Sequence, residues 1–175
     1  MKKILYFATL LLAVVLAASC SKDDIEDTAT VELAGDWYVT VDAVDESGNL
    51  VFTDADLFGL GRIHILTYNT SDNVSDQLFV YDEGNFWNFK VKASSDVKAL
   101  TFSTNGDASN LSGDDIKVNV SDGKVVKGGG VQKNGSKTDS ISFYVTFSDD
   151  SYPAAYGYAK YHVHGVRYSG LADND

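Results

Sequence analysis

From residue 35 to residue 168 the chain alternates apolar and polar side chains in short runs, with no sustained helical repeat. Ile141, Phe143, Val145 and Phe147 alternate with Ser140, Ser142, Thr146 and Ser148, with Tyr144 as the exception. Ile116, Val118 and Val120 alternate in the same way with Lys117, Asn119 and Ser121. Successive strand side chains point to opposite faces, so this pattern predicts antiparallel strands with one dry and one wet face. They fall near 35–44, 49–54, 62–70, 77–82, 85–93, 97–104, 115–121, 124–132, 140–148 and 155–168. Turn chemistry separates them at Ser47-Gly48-Asn49, Asn105-Gly106-Asp107, Asp122-Gly123 and Asn134-Gly135, where Gly, Asn and Asp tolerate positive φ. The clearest hairpin signal is "IKVNVSDGKVVKG", read as strand, two-residue turn, strand. The run "GNFWNFKVK", residues 84–92, reads as a strand with Trp87, Phe89 and Val91 on its dry side.

Sequential one-sided strands joined by short turns predict an all-β domain, an antiparallel meander of about 8–10 strands closed into a barrel; a β-sandwich is the alternative. Gly35-Asp36-Trp37 opens the first strand and Arg167 lies on the last. In a closed barrel those strands are neighbours, which sets Arg167 over the Trp37 ring for a cation–π contact of about 0.5–2 kcal/mol. A G-x-W paired with a terminal Arg resembles the arrangement that closes the base of lipocalin and other calycin barrels.

Ahead of the domain, residues 1–19 have two lysines, an apolar run from Ile4 to Leu16 interrupted only by Thr9, and then small residues, the pattern of a secretory signal peptide. Ala17-Ala18-Ser19-Cys20 resembles a bacterial lipobox, in which the peptide is cut before the Cys and the thiol takes a diacylglycerol; Cys20 is the sole cysteine and has no disulfide partner. The resulting organisation is a signal peptide over 1–19, a lipidated Cys20 and flexible acidic tether over 20–32, one domain over 33–171 and a tail over 172–175. The Cys-Ser-Lys-Asp-Asp start resembles the acidic signal of Bacteroidetes-type lipoproteins at the outer face of the outer membrane. It implies an outer-membrane, lipid-anchored protein facing the cell exterior, with the periplasmic face as the alternative.

Charge narrows the partners. Removing residues 1–19 takes away Lys2 and Lys3 and no acid, which leaves 12 basic against 25 acidic residues, a net charge of −13. Such a chain lacks the Lys and Arg excess that neutralises phosphates, so nucleic acid is excluded.

Set side by side behind the lipobox, "AGDWYVTVDA", "FGLGRIHILTYNT", "GNFWNFKVKA" and "DSISFYVTFSDD" resemble a small family of Bacteroidetes lipoproteins labelled "lipid-binding putative hydrolase". The resemblance spans about residues 33 to 170. It implies a calycin-like barrel and a lipid or other small hydrophobic ligand, and it supplies no catalytic motif to carry onto this chain.

The residues themselves offer three chemistries. For hydrolysis, there is no G-x-S-x-G and no thiol free after lipidation, and the Asp residues fall mostly in turns and at strand ends where they serve as caps and solvating charge, so the reading leans away from an enzyme, and no cofactor is expected. For a metal, His162-Val163-His164 puts two imidazoles on one strand face with His64 as a possible third ligand; the competing reading is an outer-face pair without metal. For an apolar ligand, ten Tyr, nine Phe and two Trp are enough to line a barrel, and Tyr68, Trp87, Phe89, Phe143, Phe147 and Tyr161 are the candidate lining. The same rings can instead fill a packed core. A monomeric, non-enzymatic lipid binder is the expectation. The alternatives are a weak hydrolase and a surface accessory module that binds glycan or protein through Tyr81, Phe86, Tyr156 and Tyr158.

Overall fold

A computed structural model of the chain describes residues 27–54 and 56–174; the expected signal peptide and Cys20 lie outside the described residues. The first strand, β1 (Gly35–Val44), turns its alternation into geometry, with Trp37, Val39, Val41 and Ala43 buried and the residues between them less so, until Val44 is buried as well at the strand's end. The others are β2 (Ile63–Asn69), β3 (Gln77–Tyr81), β4 (Lys90–Asp96), β5 (Thr101–Ser103), β6 (Ala108–Ser109), β7 (Lys117–Val131), β8 (Lys137–Phe147) and β9 (Lys160–Arg167). Every pairing is antiparallel, and β1 lies between β2 and β9. Because β5 also pairs with β7, eight strands close into a barrel, with β6 a two-residue addition beside β7. Closure removes the exposed edges a sandwich would keep.

The inward positions are packed. Val39, Ile65, Val80, Phe89, Val91, Val118 and Phe143 have no accessible surface, so no water-sized void adjoins them. The two ends of the barrel differ. At one end, residues 27–34 cross the opening and bury Leu33 beneath the chain. There the Trp37 Nε1–H donates to Thr67 Oγ1 at 2.7 Å, and Thr67 Oγ1 donates to the Leu33 carbonyl at 2.6 Å. Arg167 sits opposite Trp37 in the β1–β9 register with its guanidinium carbon 4.5 Å from the ring centroid. Its Nη1 donates to the Ala34 carbonyl at 2.8 Å and its Nη2 to Asp139 at 3.3 Å. Gly35 is required by this packing, because a Cβ there would lie 2.5 Å from Arg167 Nη1 and 3.0 Å from the Trp37 ring. At the other end, the loops 45–62, 82–89, 104–116 and 148–159 surround the mouth of the barrel.

Asp139 couples this plug to pH. Burial alone would raise its carboxyl. The Gly128 N–H, the bond and charge of Lys127, and the charge of Arg167 outweigh burial and hold its pKa below the ordinary 3.8. A carboxylate with a folded pKa below its unfolded one contributes stability above the unfolded value, and loses that contribution as pH falls through the folded one. Asp139→Asn should therefore cost stability at pH 7, and the gap from the parent should narrow progressively below about pH 4. Urea titrations of both proteins at pH 7 and pH 3 check this; a gap of equal size at both would show that the charge is not what matters.

Four sequence expectations are corrected. Asp122-Gly123 is not a hairpin turn: residues 117–131 form one strand that pairs with β8 along its length, with register shifts at Ser121/Lys124 and Val126/Gly130. The positive φ of Asp122 (52°) serves a bulge, and the missing Cβ of Gly123 lets Phe102 of β5 close against it, since a Cβ there would lie 2.5 Å from that ring. Residues 49–54 form a loop with a single bridge, Val44 to Leu50. The strand expected over 85–93 starts only at Lys90, leaving Trp87 and Phe89 in the preceding loop, and the first part of 155–168 is a helical turn, α1 (Tyr152–Tyr156), ended by Gly157 at φ 77°. Near the end of the described residues Asn174 is buried, its Oδ1 accepting the Asn134 N–H at 3.0 Å.

Candidate functional site

The mouth is built on one buried carboxylate. Asp82, fully buried just after β3, accepts five backbone N–H groups: Gly84 (2.9 Å) and Phe89 (2.8 Å) on Oδ1, and Phe86 (3.2 Å), Trp87 (2.7 Å) and Asn88 (2.9 Å) on Oδ2. It therefore dictates the course of residues 83–89 and aims their rings across the barrel end. Trp87 stacks on Phe147 with ring centroids 4.6 Å apart and planes 6° apart, and its Nε1–H donates to Asp149 at 3.1 Å. Phe86 packs edge-on against Tyr161 (5.0 Å) and Phe147 (5.7 Å), and Phe58 packs against Tyr161 (5.5 Å). Together these rings form an aromatic layer that seals the core from the mouth.

Outside that layer lies a pocket of ≈ 430 Å³ lined by Phe52, Leu57, Phe58, Tyr152, Tyr156 and Tyr158. Its volume falls within the range of about 300–1,000 Å³ for small-molecule sites, and its wall is almost entirely ring faces and aliphatic carbon. Tyr158 turns its hydroxyl inward, 2.7 Å from that of Tyr161, which donates to Asp150 at 2.6 Å. Burial raises the pKa of both phenols, and the Asp150 and Tyr158 hydrogen bonds add to it for Tyr161, so both stay neutral. The polar atoms are satisfied behind the wall and the apolar surface is left facing the pocket. At its lip Tyr152 and Tyr156 are 53% and 63% exposed, with Leu50 60% exposed on the adjoining loop. A larger groove of ≈ 690 Å³ beside β4, β5 and β7 has a mixed lining, in which Ser94, Ser103, Asn105, Ser121 and Asp122 alternate with carbon of Phe102 and Val120.

The candidate lining read from sequence lies elsewhere. Phe89, Phe143, Phe147 and Tyr161 are buried core, at most 6% exposed. Trp87 belongs to the layer above them, and Tyr68 is on the outer wall beside Phe79 (5.5 Å) with Lys90 Nζ 5.3 Å from its ring. Tyr68 faces out because Ile63, Ile65 and Thr67 take the inward positions of β2. Of the aromatics considered for a surface contact, Tyr156 and Tyr158 line the pocket, Phe86 is in the sealing layer and Tyr81 is on the wall near Lys90. Phe52, Leu57, Phe58 and Tyr152 were missed. Their signal is "LVFTDADLFGLG", residues 50–61, which carries six large apolar side chains without a sustained strand or helix period.

The histidines are on the outer wall. His64 bonds Asp36 at 2.8 Å, and its ring lies 5.1 Å from Tyr38 and 4.6 Å from Tyr168. His162 and His164 stack with centroids 4.6 Å apart; His164 Nε2 bonds Asp42 at 2.7 Å and His162 Nε2 meets Ser142 Oγ at 2.8 Å. Burial, then the charge of His164, lowers the pKa of His162, with Asp42 opposing. Among the described residues, the carboxylate that joins this pair is Asp42, not a third imidazole from His64.

A comparison with curated proteins finds no match. Residues 22–172 match the family described as "lipid-binding putative hydrolase", which covers the barrel, its plug and its mouth. The chain belongs to that family.

Proposed function

We propose that this protein binds a lipid or other small amphipathic molecule by inserting its hydrocarbon part into the pocket at the mouth of the barrel, not into the barrel itself. The observation that carries the reading is the ring-and-aliphatic pocket of Phe52, Leu57, Phe58, Tyr152, Tyr156 and Tyr158, whose apolar wall opens to solvent in a member of a lipid-binding family. Around that activity we place a monomeric, non-enzymatic lipoprotein anchored through Cys20 to the outer membrane and facing the cell exterior. The lipobox-like Ala17-Ala18-Ser19-Cys20 and the acidic stretch after it support this placement.

Leu57→Asp and Tyr156→Asp place a carboxylate against the apolar wall, and each should weaken binding of a fluorescent fatty acid at least tenfold, about 1.4 kcal/mol. Tyr68→Asp, on the outer wall, should bind as the parent does. Equal affinity in Leu57→Asp and the parent would remove the pocket from the reading.

The Ser142–His162 contact supports a second reading, a weak hydrolase. It requires ester hydrolysis that disappears in Ser142→Ala and survives in Leu57→Asp.

A further inference from the structure

We propose a divalent transition-metal site, suited to zinc, on the outer wall of the barrel, formed by Asp42 of β1 with His162 and His164 of β9. The three side chains offer one carboxylate oxygen and two imidazole nitrogens, all within 4.8 Å of one another. The β1–β9 register generates the site: Asp42 is paired with His162 and Thr40 with His164, so the carboxylate and both imidazoles leave the same face of two adjacent strands. A tetrahedral zinc with bonds of about 2.0–2.1 Å needs ligand atoms about 3.3 Å apart. The His164 Nε2 to Asp42 Oδ2 distance of 2.7 Å therefore opens by roughly half an ångström, and the ion replaces the hydrogen bond between them. His162 swings its Nε2 from Ser142 Oγ toward the ion, a single side-chain rotation.

Two imidazoles and one carboxylate are a borderline-soft donor set that leaves a fourth position for water, which favours zinc over calcium or magnesium. The imidazole and carboxylate edges are reachable from solvent, with side-chain exposures of 42% for His164 and 22% for Asp42. On the same face the Lys160 ammonium is drawn aside, 4.1 Å from the Tyr144 ring centroid and donating to the Glu46 carbonyl, while Arg62 and Lys133 line the groove beside His164. The site is on the barrel wall, whereas the pocket of the proposed function is in the mouth loops, so the two readings stand or fall separately.

Zinc(II) titrated into the full chain in detergent, in a Cys20→Ser background and against a chromophoric chelator, should saturate at one equivalent. Asp42→Asn, His162→Ala and His164→Ala should each weaken binding at least tenfold. His64→Ala, which breaks an equivalent histidine–carboxylate pair at Asp36, should leave it unchanged. Cobalt(II) bound to the unsubstituted site should give the intense visible bands of a four-coordinate ion, a readout that does not depend on any variant folding. Absence of saturable binding at micromolar zinc, affinity unchanged in His164→Ala, or only the pale spectrum of six-coordinate cobalt would each overturn the proposal.

Discussion

Asp82→Ala is expected to lower the unfolding free energy by about 3–5 kcal/mol, because five backbone N–H groups lose a charged, buried acceptor at once. That is a large share of the roughly 5–15 kcal/mol by which a domain is held together. Asp82→Asn keeps the shape but removes the charge and turns an amide N–H₂ toward backbone donors, so it should recover only part of the loss. Urea unfolding followed by tryptophan fluorescence gives the free energies. Hydrogen exchange should show protection lost first at the amides of Gly84, Trp87 and Phe89. A midpoint for Asp82→Ala close to that of the parent would mean that residues 83–89 hold their course without it, and the account of the mouth would fail.

Trp37→Ala is the second large effect, expected to cost about 3–5 kcal/mol, since it deletes the largest fully buried side chain and the hydrogen bond that Thr67 Oγ1 accepts in the plug. Arg167→Met, which keeps the aliphatic stem but not the guanidinium, should cost less. The pair can be separated by a cycle. Trp37→Leu and Arg167→Met together should differ from the sum of their single effects by about 0.5–2 kcal/mol, the coupling expected of a cation over an indole. Strict additivity would reduce Arg167 to its hydrogen bonds with Ala34 and Asp139.

How far the sequence could be read depended on whether local pattern or a distant partner decides each segment. Strand β1 was legible to its ends, because Trp37, Val39, Val41 and Ala43 bury in alternation that only the buried Val44 at its end interrupts. The meander and its closure followed from such runs and from the placement of Trp37 and Arg167. The stretch 84–92 alternates as well, yet its first half is loop: Asp82 supplies the hydrogen bonds that a neighbouring strand would otherwise give, and no periodicity records that. At Asp122-Gly123 the residue chemistry was read correctly and its use was not, since positive φ serves a bulge and a hairpin equally. The pocket was the least legible feature. It joins a loop at 52–58 to a helical turn at 152–156, and only the closed barrel brings these together. For the histidines, parity placed His162 and His164 on one face, but Asp42 as their partner depends on the β1–β9 register.

The plug and the mouth occupy opposite ends of the barrel, and the chain enters at the plug, where residues 27–34 lead into β1. A ten-residue strand tilted as in small barrels spans roughly 25 Å along the axis. On the proposed anchoring at Cys20, the attachment point therefore lies on the plugged side of the barrel and the apolar pocket opens at the far side, so that the reach of the acidic tether, and not the barrel wall, sets how near the pocket comes to the bilayer that carries it.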